Sequence, residues 1–376
     1  MVKFQRKRLL NTIMSEKKIK ITFVLPSLSA GGAERIMSFI AQELNKDIFD
    51  TTLLVIGFEK DSVYDIEKTN SIFLNKKRVL FGTLGLLNHF RKAKPDIVLT
   101  SIVHLNTLTA FLSVFFPKTK FIAREANVLS ELIKYNHYTK VYFPKFLTVF
   151  AYKLIYCIVC QSKDMKADMI KSYHVPERKL ILINNPITNN PKPKEKARKN
   201  ESSLNIITIG RLSMEKGYDR IFEVLSKLDF PFRYTIIGDG IEKENLISLI
   251  KEKDLDNYVK HIPYTKNVNE YLDENDIFLQ GSYVEGFPNV LLESCVVGTP
   301  VVAFNAPGGL DEIIENHVNG YIVKDVEDCV NYLNNLYTDF YFKPELVSQV
   351  VNSRFNKETI LKQYESLFIN ILKDAS

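Results

Sequence analysis

Short apolar runs rich in Ile, Val and Phe alternate with longer amphipathic segments along nearly the whole chain. This alternation is typical of βα units around parallel sheets, whose strands are buried on both faces. A first series of strands is predicted at 18–26, 51–58, 97–100, 120–123 and 155–161. A second series is predicted at 205–210, 234–238, 261–263, 277–280, 300–304 and 320–323. The pattern therefore predicts an α/β protein with two parallel sheets.

A polar stretch separates the two series. Residues 184–203 are rich in Asn, Pro, Lys and Glu, a composition that cannot bury a core. A length of 376 residues also exceeds what one hydrophobic core usually organises. We predict a first domain over 18–186, a linker over 187–203 and a second domain over 204–356. Apolar residues at helical spacing predict a last helix over 357–372, and this pattern allows it to dock on either domain.

Composition narrows the functional classes. The formal net charge of +6 is mild for this length and does not indicate a nucleic-acid binder. The basic N-terminal segment lacks the apolar stretch of a signal peptide, and no apolar run reaches the roughly 20 residues that span a bilayer. Four cysteines are too few for a disulfide framework, which favours a reducing cytoplasm. Cys157 and Cys160 lie in a predicted strand that points them to opposite faces, which disfavours a redox or metal role.

The first candidate loop follows the first strand and contains Gly31 and Gly32. A glycine pair lets a ligand approach the backbone, and the start of the following helix offers N–H groups and a positive dipole end to a phosphate. The loop is neither the G-x-G-x-x-G dinucleotide pattern nor a P-loop. By itself it fits a tight turn equally well.

The second candidate loop, Ile209-Gly-Arg-Leu-Ser-Met-Glu-Lys-Gly217, follows the first strand of the second domain. Arg211 and Lys216 bracket the turn into the next helix. Arginine grips a phosphate with two N–H groups and lysine adds a compact charge, which suits a diphosphate whose charge grows during bond cleavage. A solvated loop is the alternative. The strand-end position argues against it, because open α/β sheets bind ligands there.

The third element, Glu285-Gly-Phe-Pro-Asn-Val-Leu-Leu-Glu293, opens a helix for which Pro288 fits the first position. Glu293 is expected about 8 Å along the helix axis from its start, at 1.5 Å per residue. A nucleotide sugar matches this span, with sugar hydroxyls at Glu285, ribose at Glu293 and phosphates near the helix start. An ordinary exposed helical glutamate is the alternative for Glu293.

In chain order, these three elements resemble family 4 of the glycosyltransferases, whose members share a Gly-Gly loop, G-R-L-x-x-E-K-G and E-x7-E. The resemblance covers nearly the whole chain and extends to Ile236-Ile-Gly-Asp-Gly240, Gly298-Thr-Pro-Val-Val302 and Gly308-Gly-Leu-Asp-Glu-Ile-Ile314. It implies the GT-B fold, in which two Rossmann-like domains face a central cleft. The donor is then held mainly by the second domain and the acceptor by the first. The resemblance also implies that the C-terminal helix, 357–376, packs back on the first domain.

The resemblance further assigns roles to individual residues. Arg211 and Lys216 would neutralise the diphosphate and Glu285 would hold the transferred sugar, which makes these three the candidate catalytic residues. The candidate donor-binding residues are Gly31, Gly32, Tyr264, Gly286, Phe287, Asn289, Val290 and Glu293. The implied retaining chemistry is same-face attack, in which the departing phosphate helps to take the acceptor proton and electrostatic stabilisation dominates.

The acceptor side offers fewer candidates. Related enzymes often carry a histidine after the fourth or fifth strand, whereas Ala123-Arg-Glu-Ala-Asn127 occupies that stretch here. Arg124 and Glu125 are candidates for sugar or acceptor contacts, and His104 is an alternative, although lone histidines are usually structural. Asp254-Leu-Asp256 follows a lysine-rich helix instead of a strand, so no metal or other cofactor is expected.

The expected function is retaining transfer of a hexosyl unit from a nucleoside-diphosphate sugar, with UDP favoured, to a glycan or polyprenyl-linked acceptor. The expected product is a bacterial surface polysaccharide such as lipopolysaccharide or capsule. A GT-B nucleotide-sugar epimerase and a catalytically silent nucleotide-sugar-binding protein are the alternatives. The protein is expected in the cytoplasm, with peripheral contact to anionic lipid through the basic segment 1–20 or the aromatic, lysine-rich segment 134–153. A solvated tail is the alternative for the first segment.

Overall fold

A computed structural model describes residues 17–135, 144–198 and 202–373. Two parallel sheets organise these residues, which confirms the predicted α/β fold with two Rossmann-like domains. The strands are β1 Ile19–Leu25, β2 Phe49–Val55, β3 Asn70–Phe73, β4 Ile97–Ser101, β5 Lys120–Arg124, β6 Cys157–Cys160, β7 Leu180–Leu182, β8 Leu204–Ile209, β9 Phe232–Ile237, β10 Val259–Ile262, β11 Ile277–Gln280, β12 Val301–Phe304 and β13 Gly320–Val323.

Helices connect the strands and cover the sheets, because parallel strands present apolar side chains on both faces. They are α1 Gly32–Glu43, α2 Thr83–Ala93, α3 Val103–Ser113, α4 Leu129–Tyr135, α5 Lys145–Leu154, α6 Lys163–Lys171, α7 Tyr218–Leu225, α8 Lys243–Glu252, α9 Val268–Glu274, α10 Asn289–Val297, α11 Leu310–Ile313, α12 Val326–Thr338, α13 Pro344–Phe355 and α14 Lys357–Lys373. In the described part of the chain, none of them is both long and apolar enough to cross a membrane.

The strand order places all three candidate loops where such sheets bind ligands. The first sheet runs β3-β2-β1-β4-β5-β6-β7, so its order reverses between β1 and β4. The second runs β10-β9-β8-β11-β12-β13 and reverses between β8 and β11. Ligands of open α/β sheets bind beyond the carboxyl ends of the strands at such a reversal. The Gly-Gly loop, the Arg211 turn and the Glu285 loop follow β1, β8 and β11.

Two edge strands are absent from the sequence-based prediction. β3 has four residues and β7 has three, and most of their side chains are only partly buried. Both strands lie at the edges of the first sheet. Short edge strands need no continuous apolar run, so periodicity does not reveal them.

The C-terminal helix α14 packs on the first domain. The ring of Phe368 meets those of Phe23 and Phe49 edge-on, with centroids 6.5 and 6.1 Å apart. Within the described residues, the chain thus passes between the domains twice. The two crossing segments, which are the stretch after β7 and the junction of α13 with α14, lie side by side, since the N–H of Ile187 donates to the carbonyl of Phe355 at 2.8 Å.

The cysteine pair of β6 belongs to the interior. Cys157 packs in the cluster that contains α14, and Cys160 packs in a different cluster beneath α5 and α6. Burial raises the pKa of the Cys157 thiol to about 12 and raises that of Cys160 as well. Both thiols therefore stay protonated at neutral pH, which argues against a redox role.

Candidate active site

The loop that carries Glu285 lies at the contact between the domains. The N–H of Val128, just after β5, donates to the Glu285 carbonyl at 3.4 Å. A Cβ on Gly286 would lie 2.0 Å from the carbonyl oxygen of Ala126. Any residue larger than glycine would push the domains apart at this point.

Three side chains of the second domain hold the Glu285 carboxylate. Its Oε1 accepts hydrogen bonds from Lys216 Nζ at 2.6 Å, Gln280 Nε2 at 2.9 Å and Ser282 Oγ at 2.6 Å. Because Glu285 is only 8% exposed, water screens its ion pair with Lys216 little. All three bonds reach Oε1, so they leave Oε2 free to accept from other donors.

Glu293 forms an ion pair across the domain boundary. Its carboxylate, on α10, meets the guanidinium of Arg35 in the first turn of α1. The two side chains are 17% and 31% exposed, so the ion pair is only partly buried. The predicted ribose carboxylate is therefore neutralised by a residue of the first domain, and sequence reasoning did not single out Arg35.

The Gly-Gly loop lies against the start of α10. The hydroxyl of Tyr64 accepts from the N–H of Gly31 and donates to its carbonyl, both at 2.9 Å. A Cβ on Gly32 would lie 3.0 Å from Asn289 Nδ2, so this glycine faces the second domain. The first N–H groups of α10 have no partner within the helix and are available to a phosphate. Three predicted donor-binding residues, Gly31, Gly32 and Asn289, thus come together.

The other predicted residues of this region divide between core and surface. Helix α10 begins at Asn289 with Pro288 as its N-cap, one position later than predicted, and Val290 is half-buried in its first turn. The ring of Phe287 is buried and packs against Phe355, with centroids 5.4 Å apart, so a ligand can meet only its backbone. Tyr264 is exposed after β10.

The two predicted diphosphate cations have different surroundings. Lys216 is paired with Glu285, whereas Arg211 has an exposed side chain. The charge of Arg211 acts on Glu34 in α1, where burial raises the carboxyl pKa and the helix backbone, Arg211 and Arg124 partly oppose that rise. Arg211 therefore lies close enough to the first domain for its charge to act on Glu34.

Arg124 is buried, which corrects the expectation that it contacts sugar or acceptor directly. Its Nε donates to Tyr364 Oη of α14 at 3.2 Å, and its Nη2 donates to Asn185 Oδ1 at 2.5 Å. Asn185 in turn donates to Asn289 Oδ1 at 2.7 Å. A continuous chain of hydrogen bonds thus links β5, the segment after β7 that contains Asn185, and the start of α10. Arg124 therefore acts on the cleft through these hydrogen bonds and through its charge, and not by direct contact with a ligand.

Glu125 is buried too, so the same correction applies. Its Oε1 accepts from Asn106 Nδ2 at 2.8 Å and from the hydroxyl of Tyr152. Burial, with a smaller contribution from Asp168, raises its pKa to about 7 against the opposing hydrogen bonds and Arg124. His104 is partly exposed at the start of α3, and burial lowers the pKa of its imidazole. Of the three acceptor-side candidates, only His104 presents side-chain surface.

Further contacts that sequence reasoning missed join the domains beside Glu285. Asp164 Oδ2, in the first turn of α6, accepts the N–H groups of Gly308 at 2.8 Å and Gly309 at 3.1 Å. The Glu312 carboxylate accepts the N–H of Lys163 at 2.6 Å and Asn184 Nδ2 at 3.0 Å. An acidic residue in the first turn of a helix is ordinarily a stabilising feature of that helix, so only the fold reveals its distant partners.

Two facing α/β domains, with paired cations and carboxylates at their sheet reversals, define a glycosyltransferase of the GT-B class. The sequence profile described as Glycosyltransferase Family 4 matches residues 30–189, and the one described as Glycosyl transferases group 1 matches residues 189–346. The two matches follow one another along most of the chain. The chain belongs to glycosyltransferase family 4.

Curated relatives and a solved structure agree with this assignment. An N-acetylgalactosamine-N,N'-diacetylbacillosaminyl-diphospho-undecaprenol 4-alpha-N-acetylgalactosaminyltransferase of Campylobacter jejuni is 24% identical over 81% of this chain and 86% of its own length. The O-antigen biosynthesis glycosyltransferase WclY of Escherichia coli is 22% identical over 95% of this chain and 100% of its own. The crystal structure of Anabaena HepE in complex with UDP and glucose superposes with a TM-score of 0.79 at 19% identity, over 94% of this chain and 100% of HepE.

Proposed function

We propose that this glycosyltransferase moves a hexosyl unit from a UDP-sugar, with retention of configuration, to a lipid-linked glycan during synthesis of a bacterial surface polysaccharide. The observation that carries the proposal is the Glu285 carboxylate, fixed at Oε1 by Lys216, Gln280 and Ser282 beside the start of α10. A fixed acceptor of hydrogen bonds next to a helix N-terminus suits a sugar attached to a phosphate.

In the proposed reaction, the bond between the sugar C1 and the β-phosphate oxygen breaks while the acceptor oxygen bonds to C1 on the same face. The acceptor proton passes to the departing diphosphate. Glu285 orients the sugar hydroxyls, Arg211 and the start of α10 stabilise the negative charge of the diphosphate, and Glu293 binds the ribose. The protein contributes orientation and electrostatic stabilisation, so no nucleophilic side chain and no cofactor is required.

The choice of substrates draws on the relatives. The crystal structure of HepE contains UDP and glucose, and the Campylobacter relative is named for a diphospho-undecaprenol acceptor. WclY is named for O-antigen biosynthesis. Their similarity over most of both chains supports, for this protein, a UDP-sugar donor and a polyprenyl-linked acceptor.

A panel of UDP-, GDP- and ADP-sugars tests the donor assignment, with thermal shift as the binding measurement and release of free nucleotide as the turnover measurement. We expect UDP-sugars to stabilise the protein and Glu285→Gln to abolish transfer with an unchanged thermal midpoint in the absence of ligand. Full activity of Glu285→Gln contradicts the role of Glu285. Binding without any transfer favours the silent binding protein, and conversion of the UDP-sugar itself favours the epimerase.

The proposal includes peripheral contact with anionic lipid through α5. Phe146 and Phe150 are 69% and 52% exposed on this helix, which also carries Lys145 and Lys153. Exposed aromatic rings among lysines suit the headgroup region of a membrane. Residues 1–16 and 136–143, which belong to the two predicted membrane-contacting segments, lie outside the described residues.

Sedimentation with phosphatidylglycerol vesicles at low salt tests this contact. We expect the wild-type protein to sediment with the vesicles and the double variant Phe146→Ser, Phe150→Ser to remain in solution. Phe115→Ser is the matched control, because Phe115 is an exposed phenylalanine of the same domain that lies in the turn after α3. Unchanged sedimentation of the double variant excludes α5 as the contact.

A further inference from the structure

The loop 281–285, which ends in the sugar-binding carboxylate, is held by Arg220 of α7. The guanidinium of Arg220 donates to the carbonyls of Gly281 and Ser282. It also lies over the ring of Tyr283 at 4.2 Å and over that of Phe304 at 4.3 Å, measured to the ring centroids. The hydrogen bonds and the cation–π contact with Tyr283 together fix the backbone on either side of Ser282. The hydroxyl of Ser282 donates to the Glu285 carboxylate.

Tyr283 ties the same loop to the turn that carries Lys216. Its N–H donates to the carbonyl of Glu215 at 2.8 Å, and its hydroxyl donates to Asp219 Oδ2 at 2.6 Å. The position of Tyr283 therefore sets the relative positions of Glu285 and Lys216, the ion pair of the candidate active site.

The first domain reaches this loop through α4. At one end, Val128 donates its N–H to the Glu285 carbonyl just before the helix begins. At the other end, the ring of Tyr135 stacks on that of Tyr283, with centroids 5.0 Å apart and planes 8° from parallel. The helix thus spans the loop from Glu285 to Tyr283. The helix follows β5 of the first domain after only residues 125–128.

We propose that Tyr135 is a positioning residue for sugar transfer: by stacking on Tyr283, it makes the working position of Glu285 depend on closure of the acceptor-side domain. The inference rests on the proposed function, since it assigns to Tyr135 the placement of the sugar-binding carboxylate. An unclosed protein then binds nucleotide through Arg211 and Glu293 but holds the sugar poorly. Donor hydrolysis in the absence of a docked first domain is thereby suppressed.

Hydrogen–deuterium exchange of the full-length protein without ligand tests the contact independently of activity. The amides of Tyr283 and Glu285 bond to the carbonyls of Glu215 and Pro307, so loosening of the loop exposes them. We expect roughly tenfold faster exchange in Tyr135→Ala, the size of effect that one aromatic pair provides, and wild-type exchange in Tyr135→Phe. Tyr258→Ala is the matched control, because Tyr258 also stacks on a neighbour, Phe232, at 4.8 Å.

Kinetics with a UDP-sugar provide the second measurement. We expect kcat of Tyr135→Ala to fall about tenfold while its affinity for UDP alone stays within about threefold, and Tyr135→Phe to restore kcat. Unchanged exchange in Tyr135→Ala overturns the inference, as does a Tyr135→Phe variant that behaves like Tyr135→Ala. A wild-type protein that binds no UDP refutes the proposed donor instead, and the exchange experiment still decides the role of Tyr135.

Discussion

Arg35 and Glu293 belong to different domains, yet their side chains form an ion pair beside the Gly-Gly loop. The pair joins α1, which follows the first strand of the first sheet, to α10, whose start is the proposed phosphate site. Glu293 therefore has two roles to distinguish: it contacts Arg35 in the ligand-free protein and is proposed to bind ribose in the complex.

Substitutions on the two sides of this ion pair separate those roles. Glu293→Gln is expected to lower UDP affinity by about tenfold or more, because a hydrogen bond to a charged group contributes about 1.5–3 kcal/mol. Arg35→Gln breaks the same partly exposed pair but leaves the carboxylate, so a change of at most about fivefold is expected. Isothermal titration with UDP measures both. Equal losses in the two variants contradict a ribose contact.

Two of the donors to Glu285, Lys216 and Ser282, are expected to contribute unequally to kcat/KM. Lys216→Met leaves a buried carboxylate without its opposing charge, so kcat/KM is expected to fall by about a hundredfold or more. Ser282→Ala removes one of three hydrogen bonds, and a loss of about tenfold is expected. Steady-state kinetics with a saturating acceptor check the order. A larger loss in Ser282→Ala than in Lys216→Met excludes charge neutralisation as the main role of Lys216.

Glu125 is expected to make stability depend on pH near neutrality. Its pKa of about 7 lies above the ordinary 4.5, so the folded protein binds more protons than the unfolded chain between these values. The protonated carboxyl of Glu125 therefore makes its full contribution to the free energy of unfolding below about pH 4.5. That contribution is lost as the pH rises through about 7.

Glu125→Gln removes this titration while its amide oxygen can still accept from Asn106 and Tyr152. From pH 5 to pH 8, the wild-type protein is expected to lose up to about 3 kcal/mol of unfolding free energy relative to the variant. Urea unfolding at the two pH values measures the difference. Parallel pH profiles for the two proteins contradict the raised pKa.

Gly286 is expected to be required for domain closure. Gly286→Ala introduces a Cβ that collides with the Ala126 carbonyl, and because a misplacement of about 1 Å at a reacting centre can cost a hundredfold, turnover is expected to fall by roughly that factor. Gly85→Ala is the control, since its added Cβ meets only the end of the flexible Leu74 side chain. Turnover and thermal unfolding of both variants check this. Wild-type turnover in Gly286→Ala shows that the close approach is dispensable.

Sequence reasoning identified the fold and the loops of the second domain because their signals are local. Strand periodicity predicts the sheets, and the spacing of Arg211, Lys216, Glu285 and Glu293 lies within short segments that follow strands. The ion pair between Lys216 and Glu285 joins two of these segments. The sequence therefore indicates both residues as candidates but does not predict that they contact each other.

The part of the site that the sequence did not predict consists of contacts between the domains. Arg35, Asp164 and Tyr135 find their partners across the cleft, and no periodicity or spacing links residues so distant in the chain. The prediction that Arg124 and Glu125 contact sugar or acceptor was wrong, because charged residues at a strand end ordinarily face solvent and these two are buried. Burial beneath α5 and α14 depends on how distant helices pack.

Helix α14 contributes Tyr364 and Phe368 to the core that β1 begins. During synthesis on the ribosome, the first domain emerges early but lacks this helix until residues 357–373 have left the exit tunnel. The second domain, by contrast, has all its strands and its own helices before α14 is translated. Of these two domains, the one made first is therefore the one that finishes folding last, and damage within α14 weakens the first domain and not the second.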